Sequence, residues 1–212
     1  MEQISVVCGL GNPGARYRST RHNLGFLALD VLSRRHSLSW RRVGGPAQEA
    51  RWRAAGRTIV LLKPLTYMNE SGAAVSRLSG LRPSGLLVVS DDINLPLGKL
   101  RFRMGGGSGG HNGLASIIDR LGTEAFPRLR LGIGGAPEGV DWADFVLMEF
   151  LDEEREAAGA AVEAAAEAVE LAVRRGLAEA MQRYNRSGGT GGRGPAGPGG
   201  DREGGGEGGG AA

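Results

Sequence analysis

The sequence has few of the residues that disulfide frameworks, metal sites and covalent nucleophiles require. Its one cysteine, Cys8, lies in an apolar strand pattern, so no disulfide can form within the chain and a reducing compartment is favoured. The three histidines, at positions 22, 36 and 111, form no zinc-ligand pattern with that cysteine. The glycine-rich segments lack the GK[ST] signature of a phosphate-binding loop. The composition therefore lends no support to a metal, a cofactor or a cysteine nucleophile.

Long apolar runs are missing as well. No stretch approaches the ~20 apolar residues that a membrane-spanning helix needs. The N-terminus has neither the basic region nor the apolar core of a signal peptide. We therefore expect a soluble cytoplasmic protein that does not use a membrane as a partner.

Arginine carries nearly all the positive charge, because Lys63 and Lys99 are the only lysines in a chain of net charge +3. The guanidinium group suits bidentate recognition of phosphate. A bias toward arginine codons would give the same composition, so single arginines carry little information. Basic residues cluster at 99–103 and at 128–130, and these two clusters are the better candidates for contacts with nucleic acid.

The last part of the chain differs in composition from the rest. Residues 187–212 are mostly glycine and contain no apolar residue beyond alanine and proline. Such a segment cannot bury enough surface to offset the entropy lost on ordering, so we predict disorder there. Residues 1–186 are long enough for one catalytic domain with a sizeable core.

Hydrophobic periodicity predicts strands alternating with helices along residues 1–186. This order is typical of a single α/β domain, here a twisted mixed β-sheet with helices on both faces. The predicted strands cover residues 4–8, 58–62, 86–90, 99–103 and 128–133, with a weak signal for one or two strands near 50–55. The predicted helices cover 24–35, 71–81, 114–121, 151–175 and 177–184, and the short apolar segment at 144–150 is expected to be a strand or a loop.

Polar side chains follow three of these strands, and open α/β sheets bind ligands at that edge. His22 follows the first strand and Asp91 the third, so a carboxylate is available to orient an imidazole that titrates near neutral pH. This pairing favours a histidine-activated water that attacks an electrophile. The other polar or cleft residues at these positions are Asn12, Tyr67, Met68, Asn69, Asp92, His111 and Asn112.

Each of these residues also has a structural interpretation. The asparagines could be turn or cap residues, and a turn cap is the favoured role for Asp92. Alternatively, several neutral amides at one edge form a hydrogen-bonding cleft for an amide-bearing substrate or an oxyanion. The segment GLGNPG also has a loose likeness to a dinucleotide-binding turn, but Pro13 removes an N–H where a pyrophosphate would need one.

Six segments occur together in an order that resembles the bacterial peptidyl-tRNA hydrolase family. They are GLGNPG, TRHNLGF, LLKPLTYMNESG, VVSDDINLPLG, GGGSGGHNG and FPRLRLGIG, and they cover roughly residues 6–150. The resemblance implies hydrolysis of the ester between a peptide and tRNA in N-blocked peptidyl-tRNA, by a cytoplasmic monomer without a cofactor or metal. A non-catalytic RNA-binding protein on the same fold is the alternative.

The resemblance also implies roles for single residues. His22 matches the general base, Asp91 the carboxylate that stabilises its basic form, and Asn12 the residue that separates N-blocked substrates from free aminoacyl-tRNA. Ser90 and Asn94 depart from the family pattern, in which His and Asp are usual, and this affects fine tuning rather than activity. Residues that match tRNA- or peptide-contacting positions are Tyr17, Tyr67, Met68, Asn69, Asn112, Arg103 and Arg130.

Overall fold

Seven strands form one mixed sheet in the computed structural model, which describes residues 3–186. The strand order across the sheet is β2-β3-β4-β1-β5-β7-β6. The four strands β4, β1, β5 and β7 are mutually parallel, whereas β2, β3 and β6 run antiparallel to their neighbours. The strands are β1 Val6–Gly9, β2 Arg41–Val43, β3 Ala47–Ala54, β4 Arg57–Pro64, β5 Leu86–Asp92, β6 Leu100–Arg103 and β7 Arg128–Gly132.

Helices cover both faces of this sheet. On one face α1, α5 and α6 enclose a core that includes Leu29, Phe102 and Val169. On the other face α2 and α3 pack over a second core that includes Ile117 and Phe126. The predicted α/β class is therefore confirmed. The helices are α1 Leu24–Arg35, α2 Gly72–Val75, α3 Asn112–Leu121, α4 Trp142–Phe145, α5 Asp152–Arg175 and α6 Leu177–Arg186.

The central parallel strands read as continuous apolar runs because both of their faces are covered. Val7 on β1 pairs with Leu61 on β4 and with Leu87 on β5, and all three side chains are fully buried. These pairings bring the carboxyl ends of β1, β4 and β5 to the same edge of the sheet.

Two glycines allow α1 to pack against the sheet backbone. A Cβ atom added to Gly25 would lie 2.4 Å from the Val89 carbonyl oxygen, and one added to Gly9 would lie 2.4 Å from the Gly25 carbonyl oxygen. Neither position can hold a side chain without moving backbone. Because His22 lies just before α1, this close contact brings it next to the end of β5.

The structure differs from the sequence prediction in three places. The predicted helix over 71–81 is wrong beyond α2, because i→i+3 backbone bonds replace the α-helical pattern and Gly80 takes a φ of 69°. β2 was not predicted. The apolar segment at 144–150, expected to be a strand or a loop, begins with the last turn of α4.

Two further predictions concern membranes and the glycine-rich segment. Within residues 3–186 no helix is both long and apolar enough to cross a membrane. The disorder predicted for 187–212 falls outside the described residues.

Candidate active site

A buried histidine–carboxylate pair lies where β5 ends beside the start of α1. His22 belongs to a short 3-10 turn, Arg21–Asn23, and Asp91 is next to last in β5. The Nδ1 atom of His22 lies 2.9 Å from both carboxylate oxygens of Asp91. This contact assigns the proton to Nδ1 and leaves Nε2 with a lone pair. Nε2 makes no hydrogen bond to any atom of residues 3–186, so it is available to accept a proton.

A second histidine, His111, contacts the same carboxylate. Its Nε2 lies 3.1 Å from Asp91 Oδ1, while its Nδ1 accepts hydrogen bonds from the backbone N–H groups of Gly113 and Leu114 at 3.1 and 3.3 Å. Since Nδ1 is an acceptor, Nε2 carries the proton and donates it to Asp91. The sequence analysis noted His111 without giving it a role. One feature of the sequence could have indicated a role for His111: it lies just before the predicted helix, and an acceptor side chain at the residue preceding a helix caps it.

Asp91 therefore receives hydrogen bonds from two imidazoles. Burial alone would raise the pKa of its carboxyl group, but the attraction and hydrogen bonds of His22 and His111 outweigh that effect, so the pKa of Asp91 lies well below its usual range. Asp91 consequently stays ionised at neutral pH. A fixed negative charge at this point stabilises positive charge on the imidazole of His22 when it accepts a proton.

His22, Asp91 and His111 are close enough together to be considered as metal ligands, with potential ligand atoms within 4.8 Å of one another. The hydrogen bonds argue against that use. The Nε2 atom of His111 carries a proton and has no lone pair to offer, and both oxygens of Asp91 accept from His22. A metal also needs deprotonated ligands. The three residues fit a hydrogen-bonded catalytic cluster rather than a metal site.

Asn12 is held in place by a network of hydrogen bonds with Asn23 and Met68. Its backbone N–H donates to Asn23 Oδ1 at 2.8 Å, and Asn23 Nδ2 donates back to the Asn12 carbonyl at 3.0 Å. The Oδ1 atom of Asn12 accepts from the backbone N–H of Met68 at 2.8 Å. This last contact fixes the orientation of the amide, so Nδ2 is its free end. No atom of the described chain accepts a hydrogen bond from that Nδ2 group.

An open cavity of about 770 Å³ extends from His22 and Asp91 toward the glycine loop, residues 104–110. This volume lies in the range of small-molecule and cofactor sites. Asn112, Arg103 and Arg130 line it too, so the structure brings five of the predicted site residues into one cavity. Trp142 on α4 also faces it and is 60% exposed, and sequence reasoning missed this residue.

The remaining predicted residues lie outside the lining of this cavity. Met68 is buried, and a Cβ on Gly113 would lie 2.6 Å from its sulfur, so Met68 packs against the start of α3. Tyr67 is 58% exposed and Asn69 is exposed beside it. Tyr17 is half-buried, with the guanidinium of Arg16 4.5 Å from its ring centroid. Of these residues, Met68 contacts Asn12 directly, since its backbone N–H donates to Asn12 Oδ1.

The arginines near the cavity have different environments. Arg103 is exposed and forms no ion pair with another residue in the 3–186 range. Arg130 donates from Nε to Asp92 Oδ2, so only part of its guanidinium remains available. Asp92 Oδ1 accepts from the backbone N–H of Asn94 at 2.9 Å, which confirms the predicted turn cap. Of the two predicted phosphate contacts, Arg103 is the more accessible.

Arg128 does not belong to a phosphate-binding surface, although its neighbours in sequence suggested one. It is buried, and it donates to the carbonyl oxygens of Gly106 and Gly107. Burial lowers the pKa of its guanidinium, with the charge of Glu124 opposing that shift and the charge of Arg130 adding to it. Arg128 therefore anchors the glycine loop through hydrogen bonds to two of its backbone carbonyl groups.

The glycine loop also contains a literal match to G-x-S-x-G, centred on Ser108. In enzymes that use this motif, the serine sits on a sharp turn that passes directly from strand to helix. Here β6 ends at Arg103, α3 begins at Asn112, and Ser108 lies midway along the loop between them. Its hydroxyl makes no hydrogen bond to His22 or His111. Ser108 does not have the geometry of a nucleophile.

Ser90, which departs from the family pattern, lies directly before Asp91 on β5. It is fully buried, and its Oγ has no hydrogen-bond partner among the described atoms. Successive side chains of a strand point to opposite faces of the sheet. Ser90 therefore faces the core under α3 and forms no hydrogen bond with the catalytic cluster.

Together these features define a class of protein: an α/β domain in which a buried aspartate orients a histidine beside an open cavity, as a hydrolase that activates water requires. The comparisons agree with this class and narrow it. The family model described as peptidyl-tRNA hydrolase matches residues 6–190. The chain belongs to the peptidyl-tRNA hydrolase family.

Similar proteins from several bacteria carry this name. The chain is 50% identical over 177 residues to peptidyl-tRNA hydrolase of Rubrobacter xylanophilus, covering 84% of this chain and 98% of that protein. It is 45% identical over 185 residues to the one from Symbiobacterium thermophilum, covering 85% and 98%. The crystal structure of peptidyl-tRNA hydrolase from Acinetobacter baumannii aligns with a TM-score of 0.81 at 32% identity, covering 88% of this chain and 97% of that one.

Proposed function

We propose that this protein hydrolyses the ester bond between peptide and tRNA in N-blocked peptidyl-tRNA, releasing free tRNA and peptide. Membership of the family supports this activity. The observation that carries it is the contact of His22 Nδ1 with both oxygens of Asp91. That contact leaves Nε2 free to take a proton from water. This chemistry requires both His22 and Asp91, and both are present and in contact. Nothing in the site therefore favours the alternative of a non-catalytic RNA-binding protein.

The reaction proceeds by general-base catalysis. His22 Nε2 removes a proton from water as the water oxygen attacks the ester carbonyl, and a tetrahedral intermediate forms. The imidazolium then returns the proton to the departing ribose oxygen, which leaves the peptide as a carboxylic acid and the tRNA with a free hydroxyl group. Asp91 stabilises the imidazolium between these two steps. His111 holds Asp91 by its own N–H and keeps the carboxylate from rotating away from His22.

Asn12 supplies selectivity for a blocked amine. Its Oδ1 atom is occupied by the Met68 N–H, so the group it can offer to a substrate is the Nδ2 donor. A blocked amine carries an amide carbonyl, which accepts a hydrogen bond, whereas a free aminoacyl ester carries an ammonium group, which can only donate. A fixed donor at this point favours the blocked form and leaves the free form with an unpaired polar group.

The exposed residues around His22 serve binding. Arg103, with the unpaired part of Arg130, is suited to phosphate contacts, which give sequence-independent affinity for many tRNAs. Asn112 lies in the cavity lining and is suited to a contact with the peptide or the oxyanion. Substrate contacts are also assigned to Tyr17, Tyr67 and Asn69, whereas Met68, the fourth predicted residue, is buried and holds Asn12 through its backbone N–H.

We also propose that residues 1–186 act as a cytoplasmic monomer. The support for a monomer is that the groups the mechanism uses, His22, Asp91 and His111, belong to the same domain, so the reaction needs no residue of a second subunit. The support for the cytoplasm is the single buried cysteine, Cys8, together with a substrate made during translation.

The test measures release of N-acetyl-amino acid from N-acetyl-aminoacyl-tRNA and of amino acid from free aminoacyl-tRNA, by the wild type and by Asn12→Asp. The wild type should release only the blocked substrate. In Asn12→Asp the Met68 N–H keeps an acceptor, but the Nδ2 donor is lost, so the ratio of kcat/KM for the two substrates should fall by about 10- to 100-fold, the size of one lost polar contact to a substrate. Equal release of both substrates by the wild type would overturn the assignment of Asn12. No release of either would overturn the proposed activity itself.

A further inference from the structure

Arg21, the residue before the catalytic histidine, is buried to an unusual degree for an arginine. Its exposed fraction is 3%. Nη1 donates to the carbonyl oxygen of Glu149, and Nη2 donates to the carboxylate of Glu154. The guanidinium carbon also lies 4.4 Å from the ring centroid of Phe145 and 4.9 Å from that of Phe150. A charge placed this deep needs both a partner and a geometric reason for being there.

Apart from the ion pair with Glu154, these contacts of the Arg21 side chain reach one segment, residues 142–151, which we call the outer wall. The backbone is tied to it too, since Arg21 N–H donates to the Met148 carbonyl at 3.0 Å and His22 N–H donates to the Val146 carbonyl at 2.8 Å. Thr20 forms a single antiparallel bridge with Glu149. The outer wall is therefore attached directly to the turn that carries the catalytic base.

Glu154 joins this attachment to α5. Its Oε2 atom accepts from Nη2 of Arg21 and also from the backbone N–H of Leu151 at 2.8 Å. One carboxylate oxygen thus caps the first turn of the longest helix and holds the arginine. Separation of Arg21 from the start of α5 would break this shared contact.

The outer wall is anchored by two buried rings, Phe145 and Phe150, which pack against the guanidinium of Arg21, while much of the rest of it is exposed. Trp142, Leu147, Met148 and Leu151 are large apolar residues that remain 42% to 60% exposed. Trp142 and Val146 nevertheless form one side of the active-site cavity. The side chain of Arg21, together with the backbone bonds to Met148 and Val146, connects that side to the His22 turn.

We propose that Arg21 is a positioning residue that sets the distance between the outer wall and His22, and so sets where the acyl end of the substrate lies. The inference rests on the proposed hydrolysis and deepens it. Arg21 touches no reacting atom. It acts through Val146 and Trp142 on one side and through the His22 turn on the other.

The experiment uses the full chain with Arg21→Met, which keeps the aliphatic stem and removes the charge. We expect kcat/KM for N-acetyl-aminoacyl-tRNA to fall by about 10²-fold, as a misplacement of about 1 Å can cause, mostly through a higher KM. The pH at which the rate is half-maximal should stay unchanged, because His22 and Asp91 are intact. Hydrogen exchange of residues 142–151 should become faster while that of β5 stays protected.

Two further variants make the result specific. Glu154→Gln keeps Arg21 but removes its ionic partner, and it should produce a smaller loss of the same kind. It also keeps the question answerable if Arg21→Met fails to fold. Arg35→Met is the matched control, since Arg35 also pairs with α5, through Glu163, but lies far from the cavity. Its kinetics should equal those of the wild type.

Three results would contradict the proposal. One is unchanged kinetics in Arg21→Met together with faster exchange of 142–151. Another is a kinetic loss with no change in that exchange, and a third is an equal loss in Arg35→Met. A wild type that releases no peptide would instead contradict the proposed function, so the two failures are distinguishable.

Discussion

The two sides of the active-site cavity are built in opposite ways. The catalytic cluster, His22, Asp91 and His111, is almost fully shielded from solvent, and its members bond to one another. In the other part of the lining, which we call the exposed side, Arg103 and Trp142 are open to solvent and make few bonds inside the described chain. The first group has its geometry complete before any substrate arrives. The second group has hydrogen-bond donors and exposed surface that remain available for contacts with a bound substrate.

This difference separates chemistry from binding. A general base must be held within hydrogen-bond reach of its water, so the groups that orient it are buried and shielded from solvent. Contacts with a polyanion depend on charge and access instead, and they tolerate loose geometry. Changes in the catalytic cluster should therefore reduce kcat, whereas changes on the exposed side should alter affinity and its dependence on salt.

The largest effect should follow from His22→Ala. Loss of a general base lowers turnover by roughly 10²–10⁴-fold, and tRNA affinity should be nearly unchanged because the exposed side is intact. Single-turnover hydrolysis of N-acetyl-aminoacyl-tRNA and a tRNA binding titration measure the two parts. Near wild-type hydrolysis by this variant would remove His22 from the role of base.

An intermediate effect should follow from His111→Ala. This change removes the second donor to Asp91, and a hydrogen bond to a charged group is worth about 1.5–3 kcal/mol, so kcat should fall by about 10- to 100-fold. His111→Gln can still place an N–H near Asp91 and should recover part of the rate. His36→Gln, at the histidine remote from the cavity, should match the wild type. If His111→Ala changed only KM, His111 would belong with the binding side.

The smallest effect should follow from Arg103→Ala. Binding of tRNA should weaken, and the slope of log affinity against log salt should become shallower by about one unit, while kcat stays unchanged. Arg53→Ala is a matched control, because Arg53 is also exposed but lies on β3, near the opposite side of the sheet from β6. An unchanged slope in Arg103→Ala, or an equal change in Arg53→Ala, would show that the exposed side does not contact phosphate through Arg103.

The same division explains how far the sequence could be interpreted. His22 and Asp91 follow buried strands, and strand ends of a parallel sheet meet at one edge, so their contact was predictable. The role of His111 was not, because it depends on the path of the glycine loop and on which of its ring nitrogens caps α3. Loop paths are set by contacts that no local pattern encodes.

Arg128 and Arg130 illustrate the limit most clearly. They alternate with leucines on β7 and look alike in sequence, yet one is buried beneath the glycine loop and the other pairs with Asp92 at the cavity. The short α2 is a similar case. Apolar spacing over 71–81 suits a helix, but tight turns follow Val75 and interrupt it. Tertiary contacts decide both outcomes.

The attachment of His22 to the outer wall has a consequence for how the protein is made. The His22 turn bonds to the Val146 carbonyl and, through Arg21, to Glu154, so the complete site contains residues from Asn12 to Glu154. During synthesis a domain folds as a unit once its parts have emerged. While growing, this chain is itself a peptidyl-tRNA, the class of molecule proposed as its substrate. It gains the means to cleave that bond only after most of its own domain has been translated.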